Sequence, residues 1–292
     1  MAVPVCFLGF GEAAQGFCSD SRWQGQGCGY DIKLTQPEYA RDKISDFETL
    51  GVTPKPGLAA LSETVDLVLS VVTADQAVTA ARETAGHLNP GTLFLGMNSV
   101  APATKREIAD SLGARGIDYV DVAIMAPVNP GQLDVPLLIS GEKAADARAK
   151  LASLGFQNTR IVGDRVGQAC CIKMLRSVMI KGIEALAAEC VTAADRADVT
   201  EEVFASMGER WLNRVNYYLG RMMVHGVRRA AEMEEVVKTL QSLGVEAIMS
   251  RGTVRRQLEI GSLGINPPPG NLSDKLAVLN TGLNTGLMEA AR

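Results

Sequence analysis

The 292-residue chain predicts a doubly wound α/β sheet over residues 1–163, followed by an all-α domain over residues 164–292. Three observations lead there. Short apolar runs alternate with helical stretches in the first half, the strand signal stops near Val166, and a long helix without proline bridges the change.

The strand-like runs are Val3–Gly9, Gly27–Leu34, Asp66–Val72, Leu93–Met97, Tyr119–Ala126, Val135–Ser140 and Phe156–Val162. Amphipathic segments such as Asp75–His87 and Thr104–Ala114 lie between them, which implies βαβ units and a mostly parallel sheet. Asp66–Val72 is apolar on both parities, as expected of a central strand covered on both sides. Beyond Val166, helices are expected at Gly167–Ala194, Thr200–Met207, Glu209–His225 and Arg228–Leu243. Pro267–Gly270 closes that region, and a last helix follows Asn271.

Composition narrows the function classes. Hydrophobic residues make up 47% and charged residues 21%, so a sizeable core can form. A net charge of −4 argues against a nucleic-acid partner, which normally requires a basic stripe. The arginines of the second half, from Arg210 to Arg256, are interleaved with Glu232, Glu234 and Glu235 and read as a solvated helix face. No stretch approaches the ~18 unbroken apolar residues of a membrane span. The opening MAVPVCFLGFGE lacks a basic lead and a cleavage site, and it reads as a first strand. Six cysteines without C-x-x-C spacing fit reduced thiols in a cytoplasmic protein, and with two histidines they form no metal-ligand pattern.

The first run enters Gly9-Phe10-Gly11-Glu12-Ala13-Ala14, the form G-x-G-x-x-A that opens a Rossmann-type dinucleotide-binding unit. Gly9 permits the tight turn, Gly11 admits a pyrophosphate to the backbone, and Ala14 keeps the helix near the sheet. The diphosphate then rests on the unpaired amides of the helix start. Asp31 ends the next strand, where a carboxylate accepts the ribose hydroxyls. Glu12 favours the helix dipole but repels a diphosphate. The expected cofactor set is Gly9, Gly11, Glu12, Ala13, Ala14 and Asp31, with Val72, Thr73 and Asn98 at the ends of later strands. Asp31 points to NAD, and Lys33 and Arg41 close behind it keep NADP as the alternative.

Along the long helix, Lys173, Ser177, Lys181 and Glu184 recur at steps of four, four and three and share a face. One reading is a set of internal ion pairs, with Lys181–Glu184 the obvious one. The other makes Lys173 a proton-transfer group, its ammonium form disfavoured by Arg176, Lys181 and partial desolvation. His225 opens a His-Gly-Val-Arg-Arg run whose guanidinium groups suit carboxylate recognition.

These motifs together resemble the β-hydroxyacid dehydrogenases, which include 6-phosphogluconate and 3-hydroxyisobutyrate dehydrogenases. Gly9–Ala14 is similar to their cofactor turn, Asn98-Ser99-Val100-Ala101-Pro102 to their Ser-Thr-x-x-Pro segment, and Ala126–Gly131 to their Ala-Pro-Val-Ser-Gly-Gly loop. Gly167 and Lys173 resemble the catalytic segment, and Arg221–Met233 looks like a branch with a distinct 6-phosphogluconate dehydrogenase-like C-terminal domain.

The resemblance implies an NAD(P)-dependent enzyme that moves a hydride between nicotinamide and a small hydroxy acid or its keto or aldehyde form, in the cleft between the domains, and that works as a homodimer. It makes Lys173 the general acid and base, with Ser99, Asn129, Ser177, Lys181, His225 and Arg228 on the substrate side. Three departures set limits. Ser177 stands where the better-known members have asparagine, Asn129-Pro130 replaces Ser-Gly, and Met125 replaces an aspartate, with Asp121 four residues earlier. Alternatives are a reductase of semialdehydes or imines, and a nucleotide-sensing protein without turnover.

Overall fold

The computed structural model describes residues 3–61, 65–208 and 210–290. Its α/β part contains strands β1 (Val3–Leu8), β2 (Gly25–Tyr30), β3 (Thr53–Pro54), β4 (Leu67–Ser70), β5 (Leu93–Gly96), β6 (Asp118–Ile124), β7 (Leu137–Ser140) and β8 (Thr159–Gly163). Between them lie helices α1 (Glu12–Cys18), α2 (Pro37–Thr49), α3 (Ala77–Ala85), α4 (Pro102–Gly113), the short turn α5 (Val128–Gly131) and α6 (Ala144–Ser153). The sheet order is β3-β2-β1-β4-β5-β6-β7-β8. Every pairing is parallel except β6 with β7. The order reverses between β1 and β4, so the glycine turn after β1 lies at the switch point.

Strand parity builds two apolar layers. Val5, Phe7, Leu67 and Leu69 join α1, α2 and α6 on one face. Cys6, Leu8 and Val68 join α3 and α4 on the other. The expected burial of Asp66–Val72 on both faces is thus realised in β4. The second expected run, Gly27–Leu34, is cut short at Tyr30, because Asp31 turns to cap a 3₁₀ turn over Ile32–Thr35. β3 and α2 are not among the expected elements.

Long helices follow: α7 (Gln168–Arg196), α8 (Thr200–Met207), α9 (Arg210–Ser242), α10 (Ile248–Gly261) and α11 (Leu272–Ala290). The expected break between His225 and Arg228 is absent. Gly226 sits where α9 crosses α10, and a Cβ there would lie 2.3 Å from the Gln257 carbonyl oxygen and 2.7 Å from Gly261 Cα. That glycine serves a close approach of helices, so the tertiary contact outweighs its poor helix propensity.

The chain divides into two compact units, Met1–Met174 and Leu175–Arg292. The expected boundary at 163/164 therefore moves into α7. Its first turns belong to the α/β unit because Ala169 N–H donates to Ser140 Oγ and Cys170 N–H to Asp121 Oδ2, both at 2.9 Å. None of the described helices is long and apolar enough to cross a membrane.

Candidate active site

Gly9 holds a φ of +87°, and a Cβ there would lie 2.9 Å from Val72 Cγ1. A side chain is excluded on both counts. The turn is braced from below. Phe10 N–H donates to Asp31 Oδ2 at 2.8 Å, and Lys33 N–H donates to Asp31 Oδ1 at 3.0 Å. The Phe10 carbonyl accepts from Lys43 Nζ and Gln15 Nε2, both of which also donate to Asp46. Phe10 stacks on Phe47 with ring centroids 3.9 Å apart. Lys43, Asp46 and Phe47 were not singled out from the sequence, since α2 itself was not.

A dinucleotide fits this turn. Gly11 is the N-cap of α1 with no side-chain cap, and a Cβ placed on it would meet nothing within 4 Å. A diphosphate held here would meet the backbone N–H groups of that helix start. Glu12 is exposed and Ala14 is fully buried against the sheet. Asn98 is buried and acts within the protein: its Nδ2 donates to the Val72 carbonyl at 2.7 Å, and its Oδ1 accepts from Ser70 Oγ at 3.1 Å. It thereby fixes Val72, with Thr73 exposed beyond it.

The second cluster is built on α7. Lys173 Nζ donates to Ser99 Oγ at 2.6 Å. Ser99 lies just before α4, and Lys173 lies in the second turn of α7. The start of α7 is anchored by Asp121, a fully buried carboxylate on β6. Besides Cys170 N–H, it accepts from Ser140 Oγ at 3.2 Å and lies 3.2 Å from the fully buried Lys105 ammonium. Lys105 also donates to the Gly96 carbonyl. A carboxylate under a helix N-terminus is favoured by the helix dipole. Burial and the Asp121 carboxylate push the Cys170 thiol well up, which fits a packing role. In the sequence Asp121 is an acid offset from Met125, and its signal is a lone charge inside an apolar strand.

The remaining expected residues are dispersed. Asn129 lines a pocket of about 330 Å³ with Gln15, Ser19, Asp46 and Thr49. Ser177 is buried one turn beyond Lys173. Lys181 does not pair with Glu184; its ammonium lies 2.6 Å from Glu232 on α9, 51 residues away. Burial pushes its pKa down, opposed by Glu232. Glu184 instead accepts from Arg229 and, at 3.1 Å, from Gln257 Nε2. Arg229 is therefore buried, unlike the solvated face expected for the arginines, whereas Arg228 is exposed and 3.7 Å from Glu232. His225 lines a separate pocket of the helical unit.

Residues 26–152 match the NAD binding domain of 6-phosphogluconate dehydrogenase, and residues 194–260 match a domain of unknown function, DUF1932. A conserved hypothetical protein from Sinorhizobium meliloti is 33% identical, with 97% of each chain covered and a TM-score of 0.71. The conserved protein MTH1747, described as structurally similar to 3-hydroxyacid dehydrogenases, is 29% identical, with 90% of this chain and 99% of that one covered and a TM-score of 0.64. The 3-hydroxyisobutyrate dehydrogenase of Mycobacterium tuberculosis shares the fold at 14% identity, with 96% and 99% covered and a TM-score of 0.71.

Proposed function

Because this chain belongs to the β-hydroxyacid dehydrogenase family, in the branch that carries DUF1932, we propose that it transfers a hydride between nicotinamide and a small hydroxy acid. The observation that carries this reading is the 2.6 Å hydrogen bond between Lys173 and Ser99, on an α7 whose start is anchored by Asp121. A serine oxygen at that distance aims the amine, and the buried anchor limits its wandering. When bound, the nicotinamide supplies the hydride acceptor or donor.

Lys173 takes the substrate hydroxyl proton as that carbon is oxidised, and returns it in the reverse direction. Ser99 orients the amine, and Ser177, one turn further along α7, holds the substrate. Lys181 is committed to Glu232 and supports packing instead. Asp31 favours NAD, because a carboxylate fixed by two backbone N–H groups repels a 2′-phosphate.

The test is one absorbance assay at the NADH band, run with NAD and NADP over hydroxy acids, semialdehydes and imines. Lys173→Ala is expected to leave melting temperature and cofactor affinity nearly unchanged while cutting turnover by ~10²–10⁴. Lys173→Arg rescues little, since a guanidinium stays protonated. Full turnover in Lys173→Ala, or parallel losses of stability and affinity, overturns the assignment.

A further inference from the structure

Five lysine or arginine side chains are buried among the described residues: Lys43, Lys105, Lys181, Arg229 and Lys275. Four have a carboxylate partner, respectively Asp46, Asp121, Glu232 and Glu184. Lys275 has none. It is 5% exposed, and among the described residues its Nζ donates to neutral acceptors of Asn216, the carbonyl at 2.8 Å and Oδ1 at 2.7 Å. A desolvated ammonium without a counter-charge is unfavourable, and burial pushes its pKa down.

Lys275 lines a pocket of about 420 Å³ in the helical unit, and among the described residues no aspartate or glutamate lines it. Arg221 and His225 of α9 face the same space, and Arg221 forms no ion pair among the described residues. Asn216 is held in place, its Nδ2 donating to the Gly270 carbonyl at 3.1 Å while its oxygen faces Lys275. Gly220 leaves room for the amine, since a Cβ there would lie 3.3 Å from Nζ. Tyr217, Val224 and Pro268 supply apolar wall on a cavity larger than one oxyanion needs.

We propose that this pocket binds a small organic anion, a carboxylate or phosphate ester, whose charge is taken by Arg221, His225 and Lys275. The missing counter-charge of Lys275 comes from the ligand, and Arg221 offers the planar fork that suits either oxyanion. The site is independent of the role assigned to Lys173.

The test is calorimetric titration of the full chain with sodium phosphate and, separately, sodium succinate, against sodium chloride at matched ionic strength. Saturable binding of one or both anions is expected, and the tighter of the two identifies the source of the oxyanion. Arg221→Gln raises Kd about tenfold, the loss of one charge-assisted contact. Lys275→Met, close in volume, abolishes binding and leaves the melting temperature unchanged or higher. Lys173→Ala keeps the anion affinity, so failure of the dehydrogenase assignment stays distinguishable. No saturable heat beyond chloride, or an unchanged Kd in Arg221→Gln, overturns the proposal. Should Lys275→Met fail to fold, Arg221→Gln at its half-buried position decides alone.

Discussion

In the α/β unit, the fully buried charges Lys105 and Asp121 hold the start of one helix, and the sheet around them is apolar on both faces. In the helical unit, Lys181–Glu232 and Arg229–Glu184 run between helices, while large apolar side chains face outward. Among the described residues, fourteen exposed large hydrophobic residues lie in Leu175–Arg292, including Met179, Ile248 and Met249, against five in Met1–Met174. The α/β unit spends its apolar residues on its own core. The helical unit ties its helices together with ion pairs and carries more exposed apolar surface, of the kind that a subunit interface would bury.

The largest expected effect breaks one of those ties. Glu184→Leu strands Arg229 in the interior and costs about 3–5 kcal/mol by denaturant unfolding. Replacing Arg229 by leucine as well recovers most of the loss, because a packed apolar pair needs no desolvation of charge. A double variant as unstable as the single one breaks the contrast between the units.

Next in size is assembly. We expect a homodimer, with light scattering giving twice the chain mass at micromolar concentration. Met179→Glu combined with Ile248→Glu should shift it to the monomer, since both side chains are more than 60% exposed on the single chain. A monomeric wild type would remove the reason offered for the exposed surface.

The smallest effect sharpens the comparison from the α/β side. Hydrogen bonds from the Arg22 side chain and backbone hold the Asp20 carboxyl well below the usual carboxylate range. A depressed folded pKa stabilises above the unfolded value of about 3.9 and is lost as pH falls toward the folded one. Asp20→Asn should therefore lower the melting temperature by on the order of 2 °C at pH 7. The difference should narrow below about pH 4, and a gap that widens in acid contradicts the sign.

Legibility followed the range of the interaction. The glycine turn was readable because Gly9, Gly11 and Ala14 form a spacing motif within six residues, although the Val72 side chain that crowds Gly9 lies far along the chain. Asp31 was readable as the acid after β2, but its grip on Phe10 N–H was not. Asn98 was placed among the cofactor residues, and its side chain proved to be used in fixing Val72. Asn129 was placed on the substrate side from a loop resemblance; the turn at α5 sets it in a pocket with Gln15 and Thr49. The pairing of Lys181 with Glu184 followed helix spacing and gave way to partners on α9.

By itself, the amino-acid order determined the α/β-then-α architecture, the nucleotide turn and the polar face of the long helix. Each is written in periodicity or backbone sterics over a few tens of residues. Only the tertiary structure decided which charge meets which. Glu184 reaches Arg229 across 45 residues and Gln257 across 73, and Lys275 meets no acid among the described residues. A buried charge selects its partner by proximity in the packed state, and helix packing sets that proximity after the local signals have been satisfied.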